Sequence, residues 1–180
     1  MKRVTKAQWV ETAVDVLETE GIAGVRVEVL AKRLGISKSG FYWHFKTRQD
    51  LDAALLDYWA HEITEVLATN PEVRALPPKE RLIRVAETIL DFDLTRYEAA
   101  VMQWASHDKT AARKVRNVMR TRLDYVRAAF EELGFSGDDL ETRARMFACY
   151  GTWERTMFRD ISRSRRRELF KRQVELLTRK

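Results

Sequence analysis

Residues 34–51, which read LGISKSGFYWHFKTRQDL, are the most informative stretch of this sequence. Gly35 supplies the positive φ that a tight turn between two helices requires, because it has no Cβ to clash. Ile36 anchors that turn by returning to the core. Phe41 and Phe45 stand four residues apart, so they share the inward face of a short helix. The stretch therefore predicts a turn followed by a helix with an aromatic core face.

The residues on either side complete this pattern. Segment 27–34 carries apolar residues three and four apart, which is typical of one buried helix face. Ser37 is the expected N-cap of the aromatic helix over 38–45, and Thr47 is that of a fourth helix running to Asn70. Two short helices joined by a glycine-containing turn form a helix-turn-helix.

The outward face of the aromatic helix carries hydrogen-bond donors and flat aromatic rings. Its side chains are Lys38, Ser39, Tyr42, Trp43 and His44. Groups of this kind reach phosphates and base edges in a DNA major groove. The pattern therefore predicts a helix that reads DNA.

This order of turn, aromatic helix and capped charged helix over 34–51 resembles the recognition segment of the tetracycline-repressor (TetR) family of bacterial transcriptional regulators. Gly21 and the amphipathic first helix are similar to the same family's N-terminal domain. The resemblance implies a dimer that binds a palindromic operator and a ligand site in the C-terminal helices. The DNA-binding residues predicted on this basis are Arg26, Ser37, Lys38, Ser39, Gly40, Tyr42, Trp43, His44, Lys46 and Arg48.

Three of these residues have a second interpretation. The family usually has Ser or Thr at the start of the second helix, where this chain has Val25-Arg26-Val27. Arg26 either replaces that phosphate contact or points into solvent. Gly40 either lets the backbone approach DNA or packs against the first helix. Trp43 either lies near DNA or covers the side of the first helix.

The rest of the chain also reads as helices. Seven Gly and three Pro in 180 residues are too few for a fold rich in sheets and turns. Amphipathic spacing predicts a first helix from Thr5 to Glu20, closed by Gly21. Later helices are predicted over 78–95, 97–107, 110–133, 138–159 and 162–178. The predicted fold is all-α, with a three-helix helix-turn-helix domain over 1–48 and a helical ligand-binding and dimerisation bundle over 49–180.

Charge is unevenly distributed along the chain, whose net charge is +6. Lys and Arg number nine against six Asp and Glu over 1–50, 14 against 18 over 51–154, and ten against three over 155–180. The basic N-terminal segment favours a polyanionic partner such as DNA. The Arg163–Arg167 run is interpreted as a solubilising or subunit-bridging cluster and not as a second DNA site.

Several classes of protein are excluded on sequence grounds. Cys149 is the single cysteine, so no intrachain disulfide is expected and a cytoplasmic location fits. No apolar run approaches the roughly 20 residues needed to span a bilayer. The sequence has no G-x-S-x-G, Walker loop, H-E-x-x-H or paired Glu-x-x-His motif. We therefore expect no enzyme activity, no cofactor and no metal.

The second half of the chain offers candidate effector and dimer residues. The candidate ligand-binding residues are Trp59, Tyr97, Met102, Trp104, His107 and Trp153, with core packing as the alternative. His107-Asp108 is either a buried ionisable pair or a helix boundary capped by Asp108. The predicted dimer face combines Met146, Tyr150, Trp153 and Met157 with Phe170, Val174 and Leu177 of the final helix.

The sequence thus predicts a sequence-specific DNA-binding transcriptional regulator. Its leading form is a ligand-responsive repressor that binds a palindromic operator as a homodimer and answers to an unidentified small-molecule effector. The alternative is a constitutive or architectural DNA-binding dimer without an effector. In the leading form the fourth helix couples the effector to the spacing of the two recognition helices, about 34–36 Å in B-DNA.

Overall fold

The computed structural model describes residues 4–61 and 70–180, and all regular secondary structure within these ranges is helical. This confirms the predicted all-α class. The described helices are α1 (Lys6–Gly24), α2 (Val27–Leu34), α3 (Ser39–Tyr42), α4 (Arg48–Ala60), α5 (Pro71–Arg74), α6 (Pro78–Asp91), α7 (Glu98–Ala105), α8 (Lys109–Glu132), α9 (Gly137–Met157) and α10 (Arg163–Leu177).

The helices form two compact units. The first contains the described residues up to His61 together with Ala99–Val115, and the second contains 70–98 with Arg116–Lys180. The first unit therefore includes α4, and the domain boundary predicted after residue 48 stays a prediction. The predicted continuation of the fourth helix to Asn70 falls on 62–69, which lie outside the described residues.

Two helix starts follow the sequence prediction closely. The backbone N–H of Gln8 donates to the Thr5 hydroxyl at 3.2 Å, and the Thr5 N–H donates to the Gln8 side chain at 2.9 Å. Thr47 and Asp50 make the same reciprocal pair at the start of α4, at 3.2 and 2.9 Å. Each pair satisfies backbone donors that the first helical turn leaves open. Both predicted N-caps are confirmed.

The helices differ from the prediction at several places. Gly21 has a left-handed φ of 68°, as a helix-closing glycine should, but helical backbone resumes after it as far as Gly24. The helix starting at Pro78 ends at Asp91, four residues before the predicted end. A single helical turn, α5, was not predicted, and the Asn70 side chain caps it by accepting from the Glu72 N–H at 2.9 Å.

The core of the second unit joins α6, α8, α9 and α10. Its buried residues include Leu82, Phe130, Phe147 and Val174, with Val174 fully buried. The predicted dimer stripe on the final helix is therefore wrong, because that stripe faces its own core. Its members are Phe170, Val174 and Leu177, which are 2%, 0% and 7% exposed within the single chain.

Ion pairs tie the helices of the second unit together. The fully buried Glu98 carboxylate accepts from Arg122 Nη1 at 2.7 Å. The Arg127 guanidinium donates two hydrogen bonds of 2.7 Å to the Glu141 carboxylate. These bonds lower the pKa of Glu141 to about 2. A buried pair such as Glu98–Arg122 specifies the packing of its helices, because either charge alone would be strongly unfavourable there.

The basic run at the start of α10 is also engaged within the second unit. Arg163 and Arg167 both bind Asp91, and the Arg166 Nε lies 3.3 Å from the buried Glu154 carboxylate. Burial raises the pKa of Glu154, and the charge of Arg166 opposes that rise. Three arginines of the run therefore contact residues of their own unit, and the predicted solubilising or subunit-bridging role stays a prediction.

Among the described residues, no helix is both long enough and apolar enough to cross a membrane.

Candidate nucleic-acid interface

The turn between α2 and α3 is built around Gly35. Gly35 lies in the left-handed region, with φ 69° and ψ 32°. Its N–H donates to the Lys32 carbonyl at 3.2 Å, and the Ile36 N–H donates to the Ala31 carbonyl at 3.0 Å. A Cβ added at Gly35 would meet nothing within 4 Å, so backbone conformation and not space requires glycine.

Helix α3 is short and spans Ser39–Tyr42, and backbone hydrogen bonds continue beyond it to Phe45. The predicted N-cap at Ser37 is wrong. Lys38 holds the N-cap position, and the Ser37 hydroxyl lies 2.7 Å from the Ser39 hydroxyl. The first turn is closed by the carbonyl of Ser37, which accepts from the Gly40 N–H at 3.1 Å.

The inner face of α3 is an aromatic cluster that holds the helix against α1. Phe41 is fully buried and Phe45 is nearly so. The Phe41 ring meets Trp9 edge-on with centroids 5.4 Å apart and stacks on Phe45 at 5.1 Å. Both phenylalanines are core residues, as predicted, and their burial fixes which side chains α3 presents outward.

The outer face of α3 is open. Tyr42 is 66% exposed and Trp43 is 87% exposed, which rules out the interpretation that Trp43 covers the first helix. The other predicted DNA-binding residues that are exposed are Arg26, Ser37, Lys38, Ser39 and Lys46. Two large aromatic side chains in water beside several donors are unusual for a surface without a partner.

Packing inside the unit accounts for the glycine at position 40. A Cβ at this position would lie 3.1 Å from Ile36 Cδ1 and 4.0 Å from the Trp9 ring. The neighbouring Ile36 would have to give way, so the small residue allows α3 to sit close to the turn and to α1. Its second interpretation, a close approach to DNA, stays a prediction.

Two predicted DNA-binding residues are engaged inside the unit. The His44 Nε2 lies 2.7 Å from the Val4 carbonyl, and the ring is half-buried. The Arg48 guanidinium donates to Asp52 at 2.7 Å and to the Val25 carbonyl. Arg48 therefore links the start of α4 to the connection between α1 and α2. The i,i+4 spacing of Arg48 and Asp52 is a sequence signal for their ion pair, whereas the contact with Val25 depends on how the helices pack.

The start of α2 carries no hydroxyl cap, as the sequence indicated. Arg26 is the N-cap residue and makes no side-chain capping bond. Glu28 lies in the first turn of α2, and its carboxylate accepts from the Lys38 ammonium at 2.7 Å. Sequence spacing does not reveal this pair, because its two residues are ten apart and lie on different helices.

The candidate ligand-binding residues are divided between the two units. Trp59 and Trp104 are buried in the first unit, where Met102 is half-buried and His107 exposed. Tyr97 is buried and Trp153 half-buried in the second unit. Their role in ligand binding stays a prediction.

Of the two interpretations of His107-Asp108, the buried ionisable pair is wrong and the helix boundary is confirmed. Asp108 precedes α8 and its carboxylate accepts from the Ala111 N–H at 2.8 Å. His107 is exposed because it lies in the connection between α7 and α8. Asp108 therefore has the ordinary function of an N-cap.

The structure places this chain in the class of helix-turn-helix proteins, with one aromatic face buried and with donors and aromatic rings exposed on the other face. Comparison with protein families makes the assignment specific. Residues 10–55 match the model of the bacterial regulatory proteins of the tetR family. Its members are DNA-binding transcriptional regulators and not enzymes.

Curated relatives agree over the N-terminal part. The tetracycline repressor protein class C of Escherichia coli is 31% identical over 74 residues, covering 41% of this chain and 32% of that protein. The class D repressor of Escherichia coli is 36% identical over 63 residues, covering 35% of this chain and 27% of that protein. The chain thus spans about a third of the length of the curated relatives it matches.

Solved structures extend the agreement in fold to nearly the whole chain. A tetR-family regulatory protein from Rhodococcus RHA1 superimposes with a TM-score of 0.75 at 18% identity, covering 96% of this chain and 94% of the other. The tetR-family regulator PfmR from Thermus thermophilus gives 0.75 at 19% identity, covering 94% and 96%. A regulator from Saccharomonospora viridis in complex with choline gives 0.72 at 18%, covering 94% and 95%.

Proposed function

We propose that this chain is a transcriptional repressor that binds a palindromic operator as a dimer and releases it when a small molecule binds. The observation that carries the proposal is the exposed outer face of α3. Tyr42 and Trp43 project into solvent there, beside Lys38 and Ser39, while Phe41 and Phe45 anchor the helix from behind. A helix that is anchored on one face and exposes donors and aromatic rings on the other is suited to enter a major groove and to contact phosphates and base edges.

Selection of bound sites from random-sequence duplexes tests this function directly. The expected result is an enriched sequence made of two inverted half-sites. Recognition helices of a symmetric dimer lie about one turn of B-DNA apart, roughly 34–36 Å, so the half-site centres should be separated by about 10 base pairs or a multiple of that. Enrichment of no sequence at all contradicts sequence-specific binding.

The dimer part of the proposal is supported by apolar side chains on α9 and α10 that the single chain leaves in water. Met146 and Met157 of α9 are 54% and 69% exposed, and Leu176 of α10 is 54% exposed. Met146 and Met157 belong to the face predicted from the sequence. Because the predicted stripe of α10 is buried, we place Leu176 in the interface as the residue that the final helix contributes. An isologous interface would pair these residues with their own copies.

The double variant Met146→Glu/Leu176→Glu is expected to convert the dimer to a monomer. Each substitution would place two unpaired carboxylates in the interface, and desolvating them without partners costs at least several kcal/mol. The dissociation constant should therefore rise by at least about 100-fold. Sedimentation equilibrium measures the change.

Phe92→Glu is the matched control for the dimer experiment. Phe92 is 72% exposed in the same unit, on the connection after α6, so its replacement adds a charge outside the two helices that carry Met146 and Leu176. The control is expected to remain dimeric. A double variant that stays dimeric at the concentrations where the unsubstituted chain does would remove this face from the interface.

The ligand part of the proposal is supported by analogy of fold and by buried polarity. The Saccharomonospora viridis regulator was solved in complex with choline. The second unit of this chain buries the carboxylates of Glu98 and Glu154, which are 0% and 3% exposed. Helical bodies with buried ionic groups and aromatic residues are suited to orienting a small polar ligand.

A small molecule that raises the unfolding temperature is expected to weaken operator binding by about 5- to 150-fold, which is the usual range of coupling between two sites. The physical reason is that a ligand favouring another recognition-helix spacing opposes the spacing that DNA requires. A thermal-shift screen followed by operator titration with and without each stabilising compound measures the coupling. Compounds that stabilise the chain yet leave operator affinity unchanged would favour the constitutive dimer.

A further inference from the structure

Glu28 and Lys38 form an ion pair on the outer surface of the helix-turn-helix. The Lys38 Nζ lies 2.7 Å from Glu28 Oε1, and each side chain is 59% exposed. Glu28 lies in the first turn of α2, and Lys38 is the N-cap residue of α3. The pair therefore joins the starts of two helices at the surface that carries Ser39 and Tyr42.

The Glu28 carboxylate is a persistent partner for this ammonium. The hydrogen bond from Lys38 is the largest cause that holds the pKa of Glu28 below its usual value. A hydrogen bond from the backbone of Glu28 itself is the second largest. The charge of Arg26 acts in the same direction and is the smallest of these contributions. Glu28 is therefore ionised at neutral pH, with its carboxylate in contact with the ammonium group of Lys38.

We propose that Glu28 limits the DNA affinity of this chain by neutralising Lys38 in the free protein. An ammonium that already binds a carboxylate gains less from a phosphate than a solvated one does. DNA that binds through Lys38 must break the pair, and it then faces an unpaired carboxylate near its own phosphates. The inference rests on the proposed function, since it requires that α3 contact DNA.

The size of the effect follows from the exposure of the pair. Exposed ion pairs change an equilibrium constant by a factor of about 1.5 to 5. We therefore expect Glu28→Gln to tighten DNA binding by about two- to fivefold per protomer. The slope of log K against log salt should also become steeper, by up to about 0.9 for the phosphate contact that Lys38 makes freely.

The experiment compares charge-matched variants on one DNA probe. The probe is a random-sequence duplex of about 30 base pairs, titrated by fluorescence anisotropy between about 50 and 200 mM salt. Glu20→Gln is the matched control, because Glu20 of α1 forms a pair of the same 2.7 Å length with Arg33 of α2, and neither residue belongs to α3. It removes the same charge from the same unit without releasing Lys38. Both changes are then repeated in a Lys38→Met background.

The expected result is that Glu28→Gln tightens binding more than Glu20→Gln does, and that this excess disappears in the Lys38→Met background. Equal effects of the two substitutions, or an excess that persists without Lys38, would overturn the inference and leave the proposed function intact. If the unsubstituted chain bound neither this probe nor any duplex offered in the selection, the proposed function would fail and this inference with it. Circular dichroism confirms that each variant keeps its helical content.

Discussion

Tyr42→Ala is expected to lower affinity for a selected operator by about 10²- to 10⁴-fold while the chain stays folded. Tyr42 is 66% exposed on the outer face of α3, and its ring meets Phe41 edge-on with centroids 5.3 Å apart. That contact orients the phenol outward. A hydrogen bond from a phenol to a charged phosphate contributes about 1.5–3 kcal/mol, and the proposed dimer would make it twice. Electrophoretic mobility shift with the selected operator measures the loss.

Two further variants separate the causes of this loss. Tyr42→Phe keeps the ring and removes only the hydroxyl, so an affinity between those of the parent and Tyr42→Ala is expected. Phe92→Ala removes another exposed aromatic side chain, in the second unit, and should leave operator affinity unchanged. Operator affinity retained in Tyr42→Ala would contradict the assignment of α3 as the DNA-reading helix.

Phe41→Ala is expected to lower the free energy of unfolding of the first unit by about 3–5 kcal/mol, the usual range for a buried phenylalanine. Phe41 is fully buried and contacts the rings of Trp9, Tyr42 and Phe45. Truncation would leave a cavity between α1 and α3 and remove the support for the outward-facing residues. Hydrogen exchange of the backbone amides of α1 and α4 in the native state measures the change within this unit.

Exchange in the second unit provides an internal reference for that measurement. Phe92→Ala serves as the surface control, with an expected effect within about 0.5 kcal/mol in either direction. If Phe41→Ala left the protection of α1 and α4 unchanged, the aromatic cluster would not be the element that holds α3 in place.

The helix-turn-helix could be predicted because its determinants are local. Gly35 needs a left-handed φ, the Phe41–Phe45 spacing selects one helix face, and Thr47 caps α4 through Asp50 three residues later. Each determinant lies within a few residues of its partner, where helical geometry relates sequence spacing to distance. The structure agrees with all three.

The prediction failed where a side chain had more than one plausible partner. Ser37 has the side chain of an N-cap, but its hydroxyl meets Ser39 instead of a backbone donor. On α10 the apolar stripe of Val174 and Leu177 is equally suited to a dimer interface and to a core. The structure places it in the core of its own unit. Periodicity identifies a buried face and does not identify what buries it.

By itself, the sequence determined the all-α class, the helix-turn-helix and the aromatic face that anchors α3. Only the tertiary structure decided which charged side chains remain available to DNA. Arg48 is engaged by the Val25 carbonyl 23 residues earlier, and Lys38 is paired with Glu28 on another helix. The physical reason is that a helix face follows from local geometry, whereas an ion pair between helices depends on how those helices pack.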